Sequence, residues 1–248
     1  MELKEFFKEY PKVAVACSGG VDSAFLLYQA KQYVMETAAY FVKSAFQPEF
    51  EREDAKRLCK QLGIRLKIIE TDVLSDEKIT NNPPDRCYYC KKKIFSAIKK
   101  CAEEDGYEIL LEGTNASDDI SDRPGVKALQ EYGVRSPLRE CGYTKQEIRK
   151  KAKEAGLFVH DKPAYACLAT RVPCYRKITK ELLWKVEKAE SILFELGFSD
   201  FRVRLYEDAA RIQLKEAELS DFLQKKREIA QKLSPYFKEV FLDCLVSR

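Results

Sequence analysis

The sequence predicts an α/β fold, a parallel sheet sandwiched by helices, followed by a small C-terminal α+β domain. Short apolar runs alternate with helical periodicity along the first part of the chain. The stretch VAVACSGGVDSAFLL, Val13 to Leu27, joins one such run to one such helix through two glycines, and after about Cys174 the pattern changes.

Val13 to Cys17 is apolar and bounded by Ser18-Gly19-Gly20, which reads as a buried strand, and the following helix runs from about Asp22 to Met35. Ala38 to Lys43 is a second strand. Phe50 to Leu62 has helical periodicity closed by Gly63, and Leu66 to Glu70 is strand-like. A helix around Tyr88 to Asp105 precedes the apolar run Ile109 to Glu112 and Gly113. Strands alternating with helices imply right-handed βαβ units with helices on both faces of the sheet. Beyond Cys174 the order becomes helix (Thr179 to Leu196), strand (Phe201 to Tyr206), strand (Ala209 to Leu214), helix (Ala217 to Leu233) and strand (Phe237 to Leu242). The predicted domains are 1–165 and 179–248, with a linker at 166–178 in the Pro-containing stretch near Pro163 to Pro173.

The 248 residues, 45% hydrophobic and 34% charged, suit a sizeable globular domain plus a smaller one. No window approaches the length of an apolar membrane span, and MELKEFFKEY is charged instead of signal-like, so a cytoplasmic protein that does not engage a membrane is expected. The 44 basic residues are interleaved with 40 acidic ones, which argues against a nucleic-acid partner. His160, the single histidine, excludes any multi-histidine metal site within one subunit and reads as solvated or structural. Nine cysteines in a chain of this kind point to metal, cluster or catalytic use before disulfides.

Ligands of such a sheet bind beyond the carboxyl ends of its strands. Gly19 and Gly20 let the backbone approach an anion, the amides at the helix start point at it, and Ser18 and Ser23 add hydroxyls. Asp22 would repel phosphates unless a divalent cation lies between them. No Gly-Lys-Ser/Thr follows, which excludes the Walker pattern, and the G-x-G-x-x-G fingerprint is absent. The pattern Ser18-Gly19-Gly20-Val21-Asp22-Ser23 resembles the PP-loop of the ATP pyrophosphatase superfamily. That resemblance implies ATP binding through these six residues, with pyrophosphate cradled while the α-phosphate is attacked.

Within EGTNASDDISDRPGVKALQEYGVRSPL (Glu112 to Leu138), Gly113, Thr114, Asn115 and Asp118 lie at the end of a strand beside the presumed ATP site, and Arg123 and Arg135 suit bidentate contact with phosphate or carboxylate. Lys43, ending the second strand, is placed near the adenine or its phosphates. With NNPPDRCYYCKKKIF (Asn81 to Phe95) and KPAYACLATRVP (Lys162 to Pro173), these segments resemble the LarE family, the ATP-dependent sulfur transferases of nickel-pincer cofactor synthesis. The resemblance runs from the PP-loop through FRVRLYEDAARIQL (Phe201 to Leu214).

The resemblance implies adenylation of a carboxylate of pyridinium-3,5-dicarboxylate mononucleotide, then attack by sulfur to give a thiocarboxylate. Some members sacrifice a cysteine sulfur; others hold a 4Fe-4S cluster on three cysteines, recharged by sulfide or a sulfur-donor protein. Cys87 and Cys90 form a C-x-x-C pair at the opening of a helix. Cys167, in the setting ACLATR, matches the family's third position, and Cys174 is the alternative third ligand. A sacrificed Cys167 and a structural zinc on Cys87, Cys90, Cys167 and Cys174 remain rival readings. Arg202 and Arg204 alternate on one face of a strand, and with Arg171 in the linker they form a candidate anion site. The resemblance places such arginines at the substrate phosphate and at a subunit junction, and implies a homo-oligomer of hexamer type. A tRNA thiolase and a non-catalytic nucleotide-binding module are the alternatives from other classes.

Overall fold

The computed structural model describes residues 2–120 and 124–243. In chain order the elements are α1 Leu3–Phe7, β1 Lys12–Ala16, α2 Val21–Tyr33, β2 Glu36–Lys43, α3 Glu49–Leu62, β3 Arg65–Glu70, α4 Glu77–Thr80, α5 Arg86–Glu104, β4 Leu110–Leu111, α6 Pro124–Glu131, α7 Pro137–Glu140, α8 Lys145–Glu154, α9 Lys180–Glu195, β5 Phe201–Tyr206, β6 Ala209–Leu214, α10 Leu219–Leu233 and β7 Val240–Asp243. They divide into two compact units. One comprises the residues up to Val73 with Asp85–Ala164; the other comprises Leu74–Pro84 and the chain from Tyr165 onward.

In the first unit, β3-β2-β1-β4 form a sheet whose pairings are all parallel, in the register Val13↔Thr37, Ala38↔Arg65 and Ala14↔Leu110. Alternation along the strands divides the core between two faces. Val13, Val15, Ala39 and Phe41 pack with Phe25 and Leu27 of α2, Leu58 of α3 and Ile148 of α8; Ala14, Ala38, Tyr40 and Val42 pack with Phe95 and Ile98 of α5. Helix α2 is buried on most sides, with Val21, Ser23, Ala24, Phe25, Leu26, Leu27 and Ala30 all inaccessible. The chain leaves β1 towards β2 on one side and reaches β4 on the other. The crevice between the carboxyl ends of β1 and β4 is therefore the switch point at which such sheets bind ligands.

In the second unit, β5 and β6 form a hairpin with Glu207 at φ 50°, and β7 adds parallel to β6. Thr179 caps α9, accepting the Leu182 amide at 3.2 Å. The segment 74–84, read from the sequence as part of the first domain, groups with this unit because it is tied there by backbone and side-chain bonds. The buried Asn82, at φ 55°, donates its amide to the Val172 and Pro173 carbonyls, and the Ile178 amide donates to Thr80 O.

Helix α10 starts two residues later than predicted, behind a 3-10 turn at Glu216–Glu218. The last strand also starts later than predicted, since the Tyr236 and Phe237 amides fold back onto the Leu233 carbonyl. Helix α8 has no counterpart in the sequence-based expectations: its sequence KQEIRKKAKE buries only Ile148 and Ala152, too few positions to show a period.

Candidate active site

The turn after β1 is built by its own side chains. Ser23 Oγ donates to Gly20 O at 3.1 Å and accepts the Ser18 amide at 3.2 Å, with the two serine hydroxyls 3.2 Å apart. Gly19 has φ +75°, and a Cβ there would lie 2.8 Å from the Glu51 carbonyl oxygen of α3. Gly20 precedes α2 without a side-chain cap, so the leading amides of that helix face the crevice. Gly113, after β4, packs so closely that a Cβ would meet Ser23 N at 2.9 Å and Asp22 C at 3.2 Å. Thr114 is fixed beside it, its amide and hydroxyl both donating to the Glu112 carboxylate at 3.0 and 2.8 Å. The structure thus brings the loops after β1 and β4 together at the switch point.

Gly19→Ala is expected to impose a left-handed strain of about 1–2 kcal/mol plus the clash with α3. A lowering of Tm by at least about 2 °C, together with markedly weakened ATP binding in calorimetry, is the expected result; wild-type values for both would contradict this account of the turn.

Asp22 points its carboxylate at two partners, Lys145 Nζ at 2.5 Å from Oδ2 and Asn115 Nδ2 at 3.4 Å from Oδ1. Asn115 is buried, and its backbone amide donates to Asp118 Oδ2, in the same loop, at 3.0 Å. Arg139 closes the loop, donating to the Asn115 and Asp118 carbonyls at 3.3 and 2.7 Å. Lys162 reaches the other side of the turn, donating to Gly19 O at 3.1 Å and pairing with Asp54 at 2.5 Å over the Phe50 ring. Arg149 of α8 holds the backbone that carries it, through the His160 and Lys162 carbonyls. His160 rests its ring nitrogen on the Leu157 carbonyl, a structural contact.

Sequence reasoning misses Lys145 and Lys162 as neighbours of the loop. The capping box Thr144-x-x-Glu147 is the available signal for α8, whose first residue is Lys145. Lys43 ends β2 and is held by the Gln47 carbonyl and by Glu49 at 3.5 Å. Arg135 is engaged by the Glu140 carboxylate and the Tyr10 hydroxyl, over the Phe6 ring, and the Glu140 hydrogen bonds raise its pKa further. Arg123 lies outside the described residues.

Cys87 and Cys90 are the second and fifth residues of α5, Cys87 partly exposed and Cys90 buried, with Arg86 Nη2 3.8 Å from Cys87 Sγ. In the second unit, Cys167 is partly exposed before the 3-10 turn Leu168–Arg171, and Cys174 is exposed. Cys17 and Cys59 are buried against each other, as small apolar fillers of the core, and Cys244 lies outside the described residues. Among the described residues no three His, Cys, Asp or Glu side chains are gathered to hold a metal ion.

The second unit also carries a concentration of guanidinium groups. Arg204 stands opposite Arg211 in the β5–β6 register, and its Nε and Nη1 donate to Gln213 Oε1 and Thr170 O, both at 2.7 Å. Burial, then the charges of Arg171, Arg202 and Arg211, push its pKa down. Arg171 is fully buried, paired with Glu190 at 2.6 Å, and its Nη2 has no hydrogen-bond partner among the described residues. Facing like charges and an orphaned buried donor are features that suit an anion.

A family model described as a PP-loop domain matches residues 1–122. The chain is 36% identical to an uncharacterized protein of Synechocystis, over 90% of this chain and 83% of that one. It is 35% identical to the pyridinium-3,5-bisthiocarboxylic acid mononucleotide synthase of Lactiplantibacillus plantarum, over 95% of this chain and 87% of the synthase. The chain belongs to the LarE family of PP-loop enzymes. A tRNA-specific 2-thiouridylase of Pseudothermotoga lettingae is 31% identical over 61% of this chain and 54% of its own length, a similarity confined to part of each protein. This LarE family member is an ATP-dependent sulfur transferase with the fold predicted from its sequence, and none of its described helices is long and apolar enough to cross a membrane.

Proposed function

We propose that the chain adenylates a carboxylate of pyridinium-3,5-dicarboxylate mononucleotide with ATP and converts it to a thiocarboxylate in the cytoplasm. The observation that carries this reading is the loop Ser18–Ser23 held against Gly113 at the switch point of the sheet. A substrate carboxylate oxygen attacks the α-phosphorus, and the α–β bridging bond breaks with its electron pair leaving on pyrophosphate. The leading amides of α2 and the hydroxyls of Ser18 and Ser23 receive the charge that develops there. Sulfur then attacks the acyl carbon, and AMP departs with the carbon–oxygen bonding pair.

The donor set fits Mg2+, which is commonly bound by one or two carboxylates with substrate phosphates and water; Asp22, partly exposed at the loop, would hold it. Bound there, the ion neutralises charge on the departing pyrophosphate. The C-x-x-C pair at the start of α5 fits a 4Fe-4S cluster as two thiolate ligands, and Cys167, with Cys174 as the alternative, is the third assigned from the sequence resemblance. Such a cluster supplies a renewable sulfur, from sulfide or a donor protein. Lys43 and Thr114 are assigned to ATP; Arg123, Arg135, Arg171, Arg202 and Arg204 to the substrate, the last three at its phosphate. A homo-oligomer, of hexamer type, completes the reading.

The test is pyrophosphate release from ATP with the mononucleotide as acceptor, tRNA serving as the competing acceptor. Release dependent on the mononucleotide supports the proposal, and release dependent on tRNA replaces it with a thiolase. Cys87→Ala is expected to abolish iron binding after anaerobic reconstitution and to restrict the enzyme to less than one turnover. Full iron content in that variant would refute the ligand role of Cys87, and conversion of Cys167 to dehydroalanine in the wild type during turnover, read by mass spectrometry, would instead favour a sacrificed cysteine.

A further inference from the structure

Lys145 stands where no local rule would put it. It is the first residue of α8, so its ammonium lies at the positive end of the helix dipole, where a cation is disfavoured. The helix start is nevertheless strongly specified: Thr144 and Glu147 close a capping box, and Ser117 Oγ, in the loop after β4, accepts the Lys145 amide at 3.0 Å. These contacts deliver Lys145 Nζ to Asp22 Oδ2 at 2.5 Å, beside the phosphate cradle. The neighbouring Lys162 differs in kind. Its ammonium serves the Gly19 carbonyl, Asp54 and the Phe50 ring together, which makes it a strut of the turn. Among the described residues Lys145 has one carboxylate partner, and the two side chains of that pair remain partly accessible, at 31% and 24%.

We infer that Lys145 is a phosphate ligand of this site, resting on Asp22 while no nucleotide is bound and moving to a phosphate oxygen of ATP when it binds. The inference rests on the proposed function for its assignment of ATP to the loop. Without Lys145 the Asp22 carboxylate would face the empty cradle with no cation beside it. A flexible, partly exposed lysine satisfies Asp22 in the empty site and retains the reach to leave it. The same ammonium then opposes the charge that accumulates on pyrophosphate as it departs.

The discriminating measurement is ATP affinity by calorimetry, with melting temperatures recorded throughout, for Lys145→Met in the wild-type and in the Asp22→Asn background. Loss of a charge-assisted bond to phosphate is expected to weaken binding about ten- to hundredfold in both backgrounds, with Lys145→Arg retaining most of the affinity. If Lys145 serves only as the partner of Asp22, Lys145→Met leaves affinity unchanged once Asp22 is neutral, and the inference is overturned. A wild-type protein that binds ATP but releases no pyrophosphate with the mononucleotide refutes the proposed function while the affinity comparison still decides the role of Lys145. A wild-type protein that does not bind ATP refutes both.

Discussion

Replacing Asp22 by alanine is expected to reduce pyrophosphate release by about a thousandfold, the equivalent of several kcal/mol of charge stabilisation at the leaving group. The side chain is partly exposed, and its ion pair with Lys145 belongs to a class worth about 0–1 kcal/mol. The melting temperature should therefore stay within a few degrees of wild type while activity collapses. This combination separates a functional carboxylate from a structural one. Activity within tenfold of wild type would remove the role assigned to Asp22, and an unfolded variant would show that the Asp22–Asn115–Lys145 contacts hold the loops together.

What the sequence makes legible follows from the range of each interaction. The loop Ser18–Ser23 can be placed because its conformation is local: Gly19 at positive φ, serines five residues apart, and a strand and helix on either side. The hairpin is legible at the same residues, Phe201–Tyr206 and Ala209–Leu214, because alternation along β5 puts Phe201, Val203 and Leu205 inward. Lys145 is not legible, since its partner lies 123 positions away and only the parallel sheet brings the loops together. Short helices such as α1 and α7, of 5 and 4 residues, complete too few turns to display a period. Arg135, assigned to the substrate, is also engaged by Glu140, five residues on, a pairing that its sequence neighbourhood does not reveal.

Glu190 occupies a position that belongs by period to the apolar stripe of α9, among Leu183, Val186, Ala189 and Leu193. A glutamate there requires a buried partner, and the structure supplies three donors. Arg171 Nε donates to Oε1 at 2.6 Å, the Val203 amide donates to the same oxygen at 3.0 Å, and the Tyr165 hydroxyl donates to Oε2. Glu190→Ala leaves the Arg171 guanidinium buried without its counter-ion, which costs about 3–5 kcal/mol, and it also strips the Val203 amide of its acceptor. The second unit is expected to lose a large part of its stability, read as a fall in its calorimetric transition temperature.

Glu190→Gln isolates the charge, since the amide oxygen can still accept from Val203 while the amide NH2, in place of Oε2, donates to the Tyr165 hydroxyl oxygen, and the negative charge is gone. In that background, Arg171→Met should raise stability, because it removes a buried cation that no longer has a counter-ion. A double variant less stable than Glu190→Gln would show that Arg171 stabilises the unit through its packing and its bond to Thr170, at 2.9 Å, more than through the ion pair. The same double variant separates folding from binding. If Arg171 Nη2 is the orphaned donor of an anion site, the refolded double variant should bind the mononucleotide substrate more weakly while ATP affinity, set by the loop at Ser18–Ser23, stays at its wild-type value.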